Sequence, residues 1–313
     1  MKRDTRVATG TAATFHVSTL QNELPIQTFN PSCPPYASRV HPIAFNLGPL
    51  TVHWYGVMVA LAFLLGLWTA SRRAPRSGIN GERIVDLGPW LILGAILGAR
   101  TFYVVSYWRE EFAGKPISEI FMIHHGGLVF YGGLLGAMLA GIIYLRARAL
   151  PLWKAADILA PSIALGYVFG RIGCLMNGCC YGRACDLPWA IRFPVKSFAW
   201  EMQHRLGLVG ENEPSASVHP TQIYDSLLNL GLYLALAWFY RRKKFDGQVF
   251  AVYLMGYAVT RSFVEMFRGD YPADHLHSGL TPAHLVSIGI FAAGAVLFYV
   301  LRRKRNATQR GSR

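Results

Sequence analysis

The feature that most constrains this 313-residue chain is a series of seven apolar stretches, each long enough to cross a bilayer. A membrane-spanning helix needs about 20 predominantly apolar residues. The stretches are Leu47–Ser71, Asp86–Trp108, Gly126–Leu145, Ala155–Met176, His219–Tyr240, Gly247–Phe267 and Thr281–Leu301. The sequence therefore predicts an all-α integral membrane protein with seven transmembrane helices.

The composition supports this class. Hydrophobic residues make up 52% of the chain and charged residues 15%, whereas an average soluble domain has about 25% charged residues. The net charge of +14 comes from short basic clusters between apolar stretches, not from one basic domain. This pattern argues against a soluble enzyme and against a nucleic-acid-binding protein.

The basic clusters also predict the orientation. Clusters follow the first, third, fifth and seventh stretches, and basic loops are retained on the cytoplasmic side. The clusters are Arg72, Arg73, Arg76 and Arg83, then Arg146, Arg148 and Lys154, then Arg241 to Lys244, then Arg302 to Arg305. We therefore expect the amino terminus outside and the carboxyl terminus in the cytoplasm.

Three regions are expected along the chain. Residues 1–46 form a polar amino-terminal tail without the apolar segment of a signal peptide, residues 47–301 form the membrane domain, and residues 302–313 form a basic cytoplasmic tail. The longest loop, residues 177–218, lies outside. The alternation from Trp189 to Pro194 predicts a short strand in a small extracytoplasmic cap.

With this topology, the odd-numbered stretches begin at the outer face and the even-numbered stretches end there. Polar side chains early in the odd-numbered stretches or late in the even-numbered ones therefore lie near the outer face. At about 1.5 Å per residue, most lie within roughly 5–15 Å of the outer interface. They are His53, Tyr55, Tyr131, Arg171, Tyr224, Tyr257, Arg261 and Glu265, with Arg100 somewhat deeper.

Arginines in apolar helices are costly and indicate a functional site with an anionic partner. Arg261 shares a helix face with Tyr257 and Glu265, so the carboxylate can hold the guanidinium or merely neutralise it. Arg171 forms a stripe with Tyr167 and Cys174 and has no nearby carboxylate in its own stretch. It either reaches the interface or binds an external anion, for which a phospholipid phosphate is the expected ligand.

Five motifs in a fixed order resemble bacterial prolipoprotein diacylglyceryl transferases, over about residues 41–303. The motifs are His53-Trp-Tyr-Gly56, Gly126-Gly-Leu-Val-Phe-Tyr-Gly-Gly133, Gly170-Arg-Ile-Gly-Cys-Leu-Met-Asn-Gly-Cys-Cys-Tyr-Gly182, His219-Pro-Thr-Gln-Ile-Tyr224 and Arg261-Ser-Phe-Val-Glu-Met-Phe-Arg268. The resemblance implies transfer of the diacylglyceryl group of phosphatidylglycerol to the lipobox cysteine of a prolipoprotein, with release of glycerol phosphate. It also implies that the protein lies in the bacterial cytoplasmic (inner) membrane and contacts membrane lipids. The resemblance implies neither a cofactor nor a metal.

The resemblance also implies roles for individual residues. Arg171 matches the arginine that binds phosphatidylglycerol, and Arg261 matches a second essential arginine. The matching catalytic positions are Arg261, Tyr131, Tyr257, Glu265 and Tyr55, and the substrate-binding ones are Arg171, Gly126, Gly127, Gly132, Cys174 and Asn177. The glycines admit either a lipid headgroup or a neighbouring helix.

The chain departs from the family pattern at two places. Tyr131 stands where many members have histidine, and Cys174 and Cys179 stand where many have asparagine and glutamate. The acceptor of the thiol proton is therefore open between Tyr131, His124 and His125.

Two other functions are compatible with parts of the sequence. Cys174, Cys179, Cys180 and Cys185 cluster without the paired spacing of a zinc site, so a disulfide or a membrane thiol-redox enzyme is one alternative. A lipid or anion transporter is the other, although transporters commonly have two related halves and a site near the bilayer midplane.

Overall fold

The described part of the chain is mostly helical. The computed structural model describes residues 40, 42–48, 50–122, 126–269 and 281–311. An antiparallel hairpin of β1 (Ile43–Leu47) and β2 (Leu50–His53) comes first. The helices are α1 (Trp54–Arg73), α2 (Gly81–Ser106), α3 (Phe130–Ala147), α4 (Leu152–Asn177), α5 (Phe198–Arg205), α6 (Thr221–Tyr240), α7 (Gln248–Glu265) and α8 (Pro282–Gly311).

Five of these helices have the length and apolar composition needed to cross a membrane. They are α1 with the turn that follows it, α2, α3, α4 and α8. The prediction of an all-α membrane protein is confirmed at this level. Helices α6 and α7 coincide with the other two predicted stretches but carry several buried polar side chains, among them Gln222, Asp225, Asn229, Gln248 and Glu265.

The ends of two predicted stretches differ from the helices. The first was expected to begin at Leu47, but residues up to His53 pair as β2 with β1, and the Trp54 amide donates to the Pro42 carbonyl. The β-branched Thr51 and Val52 favour this extended backbone. At the other end, α8 continues past Leu301 to Gly311, because lysine and arginine are good helix formers.

Small residues bring α2 and α3 into close contact. A side chain on Gly98 would collide with the backbone of Gly132 and Gly136, and one on Gly132 would collide with Gly98 and the side chain of Phe102. Such close backbone approach is typical of helix packing in membranes. Gly132, expected among the substrate-binding residues, therefore packs against α2.

Helix α4 lies at the centre, packed against α1, α6 and α7. Where α4 begins, Ile158 belongs to a buried cluster with Ile84, Leu236 and Val249. This apolar core lies at the end of the bundle that carries the basic clusters. It leaves the opposite end, where α4 and α7 finish and α6 starts, for polar side chains.

Asp157 ties α4 to the start of α7. Its fully buried carboxylate accepts hydrogen bonds from the backbone amides of Gly247 and Phe250 at 2.9 and 3.0 Å, and from Lys243 Nζ at 3.0 Å. The first amides of a helix have no partner within it, so this carboxylate caps α7. The two partners lie some 90 residues apart in the sequence, and no local pattern indicates the contact.

Replacing Asp157 with alanine is expected to destabilise the protein by roughly 3–5 kcal/mol, because it leaves a mostly buried ammonium and two amides unpaired. Asp246→Ala is the matched control, since Asp246 contacts the same Lys243 at 3.2 Å from a more exposed position. It should cost less than about 1 kcal/mol. Thermal unfolding in detergent measures both, and equal losses would contradict the capping role.

The loop between α4 and α6 has a small core of its own. Tyr181, Phe193, Ala199 and Val218 are buried together. The strand expected from Trp189 to Pro194 is wrong in extent, since within it only Ile191 and Arg192 form isolated bridges, that of Ile191 with Val218. The segment instead turns into α5, whose first turn is capped by the Ser197 hydroxyl.

Candidate active site

Arg171 lies in the last two turns of α4 and is held by two side chains. Its Nε lies 2.7 Å from Oδ2 of Asp225 in α6, as an ion pair without a directed hydrogen bond. Its Nη2 donates to the Tyr167 hydroxyl, which itself donates to the same Asp225 oxygen at 3.2 Å. Arg171 has no carboxylate partner in its own helix, as expected, but a neighbouring helix supplies one.

Asp225 is the main site residue that the sequence analysis missed. It is nearly fully buried, its Oδ1 accepts from the Asn229 side chain at 2.9 Å, and it interacts electrostatically with Arg171, Arg261 and Arg268. An acid and an amide four residues apart within an apolar stretch were the signal that could have revealed it.

The predicted face of α7 is confirmed. Arg261 Nη1 donates to Glu265 Oε2 at 2.5 Å, and the other carboxylate oxygen accepts from the Thr281 hydroxyl at 2.8 Å. Arg268 Nε lies 3.9 Å from Oε2. Together with Arg171 and Asp225, this gives three guanidinium groups against two carboxylates. The guanidinium groups and carboxylates therefore form one charged cluster, and guanidinium donors suit an anionic ligand.

Tyrosine rings connect the two arginine-bearing helices. Tyr257 of α7 meets Tyr167 of α4 edge to face, with ring centroids 5.6 Å apart. Tyr55, in the first turn of α1, lies against Gly173 and is near enough to Arg171 to interact electrostatically. Its side chain is half-exposed. The structure thus brings four of the expected catalytic residues to the same end of the bundle as Arg171, namely Tyr55, Tyr257, Arg261 and Glu265.

The thiols gather beside Arg171. The Sγ atoms of Cys174, Cys179 and Cys180 all lie within 4.8 Å of one another, and Asn177, the last residue of α4, contacts the Cys179 thiol. Cys185 stands apart, and burial followed by the nearby Asp186 carboxylate raises the pKa of its thiol. These four cysteines are free thiols.

Arg100 organises the loop before α3. Its guanidinium donates to the carbonyls of Ile120 and Glu119, both at 2.7 Å, and to those of Gly126 at 2.8 Å and Gly127 at 3.2 Å. Arg100 was expected to join the polar layer as a deeper member, but its donors bind backbone. Gly126 and Gly127 both have positive φ, which lets their carbonyls turn toward it.

Tyr131 does not join the arginine cluster. It lies at the start of α3 with 69% of its side chain exposed, and it contacts the ring of Phe130. Within residues 126–269, no hydrogen bond or ion pair of Tyr131 is seen. His124 and His125 lie outside the described residues.

His53 and Tyr224 were also expected near the outer face. His53 precedes the first residue of α1 and is exposed. The Tyr224 hydroxyl accepts from the Trp189 indole at 2.7 Å and lies 3.3 Å from a ring nitrogen of His219. These contacts fasten the α4–α6 loop to α6.

Comparison with known proteins identifies the same family as the motifs do. The family model described as prolipoprotein diacylglyceryl transferase matches residues 42–300. Proteins named phosphatidylglycerol–prolipoprotein diacylglyceryl transferase are similar over most of their length. Those of Synechococcus elongatus and Geobacillus kaustophilus are both 36% identical over 84% of this chain, covering 89% and 93% of the relatives. That of Nitratidesulfovibrio vulgaris is 34% identical over 87% of this chain and 96% of its own length.

Proposed function

The chain belongs to the prolipoprotein diacylglyceryl transferase family, and from that membership we propose that it transfers the diacylglyceryl group of phosphatidylglycerol to a prolipoprotein thiol. The observation that carries the proposal is the buried cluster of Arg171, Asp225, Arg261 and Glu265 in a multi-pass helical protein. Guanidinium groups held among apolar helices match the phosphate of a phospholipid headgroup.

We propose the following membrane arrangement. Helices α6 and α7 cross the bilayer together with the five more apolar helices, which makes seven spans with the amino terminus outside. The basic clusters then face the cytoplasm, the arginine cluster and the α4–α6 cap face outward, and the protein resides in the bacterial inner membrane. Residues 1–46 and 302–313 act as polar tails of this membrane domain.

At the lipid, Arg171 and Arg261 bind the phosphate and stabilise the charge that grows on the leaving group. Asp225 and Glu265 hold the two guanidinium groups in orientation, so little reorganisation is needed as the reaction proceeds. Tyr55 and Tyr257 flank the headgroup. Cys174 and Asn177 line the α4 end of the same region, while the Gly126-Gly127 turn and Gly132 shape the neighbouring wall.

At the peptide, the lipobox cysteine thiol loses its proton and the thiolate attacks the glyceryl carbon. A carbon–sulfur bond forms as the bond between that carbon and the phosphate oxygen breaks, and glycerol phosphate leaves. We propose Tyr131 as the proton acceptor. Its exposure leaves it open to an incoming peptide.

The direct test supplies the purified protein with phosphatidylglycerol and a lipobox peptide. Mass spectrometry should detect the diacylglyceryl thioether on the peptide and glycerol phosphate in solution. A folded protein that yields neither would overturn the proposal. Lipid released unchanged on the far side of a vesicle would favour a transporter. A thiol-redox activity that is lost when the chain's own cysteines are replaced would favour a thiol-redox enzyme.

Tyr131→Phe is expected to lower the transfer rate by about 10²–10⁴-fold, the usual loss for an acid–base group, with lipid affinity nearly unchanged. Tyr299→Phe is the matched control, because Tyr299 is similarly exposed but lies on α8. Single-turnover kinetics measure the effect on the transfer rate, and a lipid-binding assay measures the effect on lipid affinity. Activity within a few-fold of the wild type would remove Tyr131 as the proton acceptor.

A further inference from the structure

The proposed transfer uses Cys174 only to line the lipid site and gives no chemical step to the three thiols at the end of α4. Cys174, Cys179 and Cys180 are partly buried, and their Sγ atoms lie within 4.8 Å of one another. Three thiolates bound symmetrically to one metal ion, with metal–sulfur bonds of about 2.3 Å, lie about 4 Å apart. A small contraction of the cluster would therefore reach ligand geometry.

The backbone is built to keep these thiols together. Helix α4 ends with Gly178 in the left-handed region, its amide bonded to the Leu175 carbonyl, and the Cys179 amide bonded to the Cys174 carbonyl at 3.1 Å. This termination brings the residue after the glycine over the last turn of the helix. The helix termination at Gly178 therefore brings Cys179 next to Cys174.

Cys180 completes the cluster at a cost in backbone energy. Its φ is +60°, a value that a non-glycine residue rarely adopts. Side chains at the start of α6 hold this turn, because the Thr221 hydroxyl donates to the Cys180 carbonyl and the Gln222 amide donates to the Cys179 carbonyl, both at 2.7 Å. Strained backbone that neighbours hold in place is common at ligand sites.

The charges and the donor count select the kind of ion. Thiolate sulfur favours soft cations, and among the described residues no fourth histidine, cysteine or carboxylate joins these three. Structural zinc sites have four ligands. Arg171 and Arg268 interact electrostatically with Cys180 and offset the charge of a three-thiolate complex.

From this geometry we propose that Cys174, Cys179 and Cys180 form a binding site for a soft monovalent d¹⁰ cation, Cu(I), in three-coordinate sulfur ligation. On binding, the three thiols lose their protons to solvent and three metal–sulfur bonds form, with no change of oxidation state. The site adjoins the transferase site through Arg171 and Tyr55, but its existence does not depend on the transfer reaction.

The test uses full-length protein carrying Cys33→Ser, reduced and kept without oxygen, and titrates Cu(I) against a competing Cu(I) chelator. One Cu(I) per chain should bind, with three sulfur neighbours in X-ray absorption and three thiols protected from alkylation. Cys179→Ser and Cys180→Gly should each weaken binding by more than about 100-fold, since loss of even an outer-shell partner costs 10–100-fold. Cys180→Gly also relieves the backbone, so its fold should be retained.

Cys185→Ser is the control, because Cys185 lies outside the cluster, and it should bind Cu(I) as tightly as its parent. Affinity unchanged in Cys180→Gly would overturn the site. Stoichiometric zinc(II) held in preference to Cu(I) would equally overturn the three-coordinate assignment. These readouts are independent of diacylglyceryl transfer, so a failed transfer assay leaves them interpretable.

Discussion

Replacing Arg171 with lysine is expected to lower the rate of diacylglyceryl transfer by about 10²–10³-fold, the loss typical of one preorganised donor, while the protein still folds. In the wild type, Nε pairs with Asp225 and Nη2 with Tyr167. A planar guanidinium can hold these partners and still present an edge to phosphate, whereas one ammonium group cannot.

The measurement pairs the transfer rate with thermal stability in nanodiscs. Arg205→Lys is the matched control, because Arg205 forms an exposed pair with Glu201 on the cap helix and should change neither quantity. Asp225→Asn, which keeps a hydrogen-bonding side chain but removes the charge, should also slow transfer because Arg171 loses its orientation. Near-normal turnover in Arg171→Lys would mean that any positive charge suffices.

Arg261→Ala is expected to abolish most activity and also to destabilise the protein by roughly 3–5 kcal/mol, because a buried carboxylate then loses its main partner. Glu265 is fully buried, and its remaining contacts would be the Thr281 hydroxyl at 2.8 Å and Arg268 at 3.9 Å. The stability loss should appear as a lower unfolding temperature in detergent.

Glu265→Gln is the informative partner variant. Its amide oxygen can still accept from Arg261 or Thr281, so it should lose less activity and less stability than Arg261→Ala. The arginine precedes the glutamate by four residues, the less favourable order for stabilising a helix. If both variants unfolded at the wild-type temperature, the Arg261–Glu265 pair would not stabilise α7. Its role would then be limited to the substrate.

Much of the architecture could be predicted because a bilayer leaves few solutions. Apolar length and the spacing of Tyr257, Arg261 and Glu265 are local properties, and a helix converts them directly into a shared face. The same reasoning predicted the wrong start for the first span. Thr51 and Val52 are apolar enough to enter a helix, but they pair with a strand that composition alone does not reveal.

The partners of the buried charges could not be predicted in this way. Arg171 lacks a carboxylate within its own helix and finds Asp225 on another, and Arg100 turns its donors to loop carbonyls instead of to the polar layer. Gly132 could have faced a lipid or a helix, and it packs against Gly98. Each outcome depends on which helices are neighbours, which helical periodicity does not encode.

The sequence by itself determined the class of this protein, since five ordered motifs in apolar helices identify the family. Only the tertiary structure decided which charged side chains pair with one another. Hydrogen bonds and ion pairs act over a few ångströms, so the pairing of Arg171 with Asp225, the capping of α7 by Asp157 and the gathering of three thiols exist only once α4, α6 and α7 are packed together.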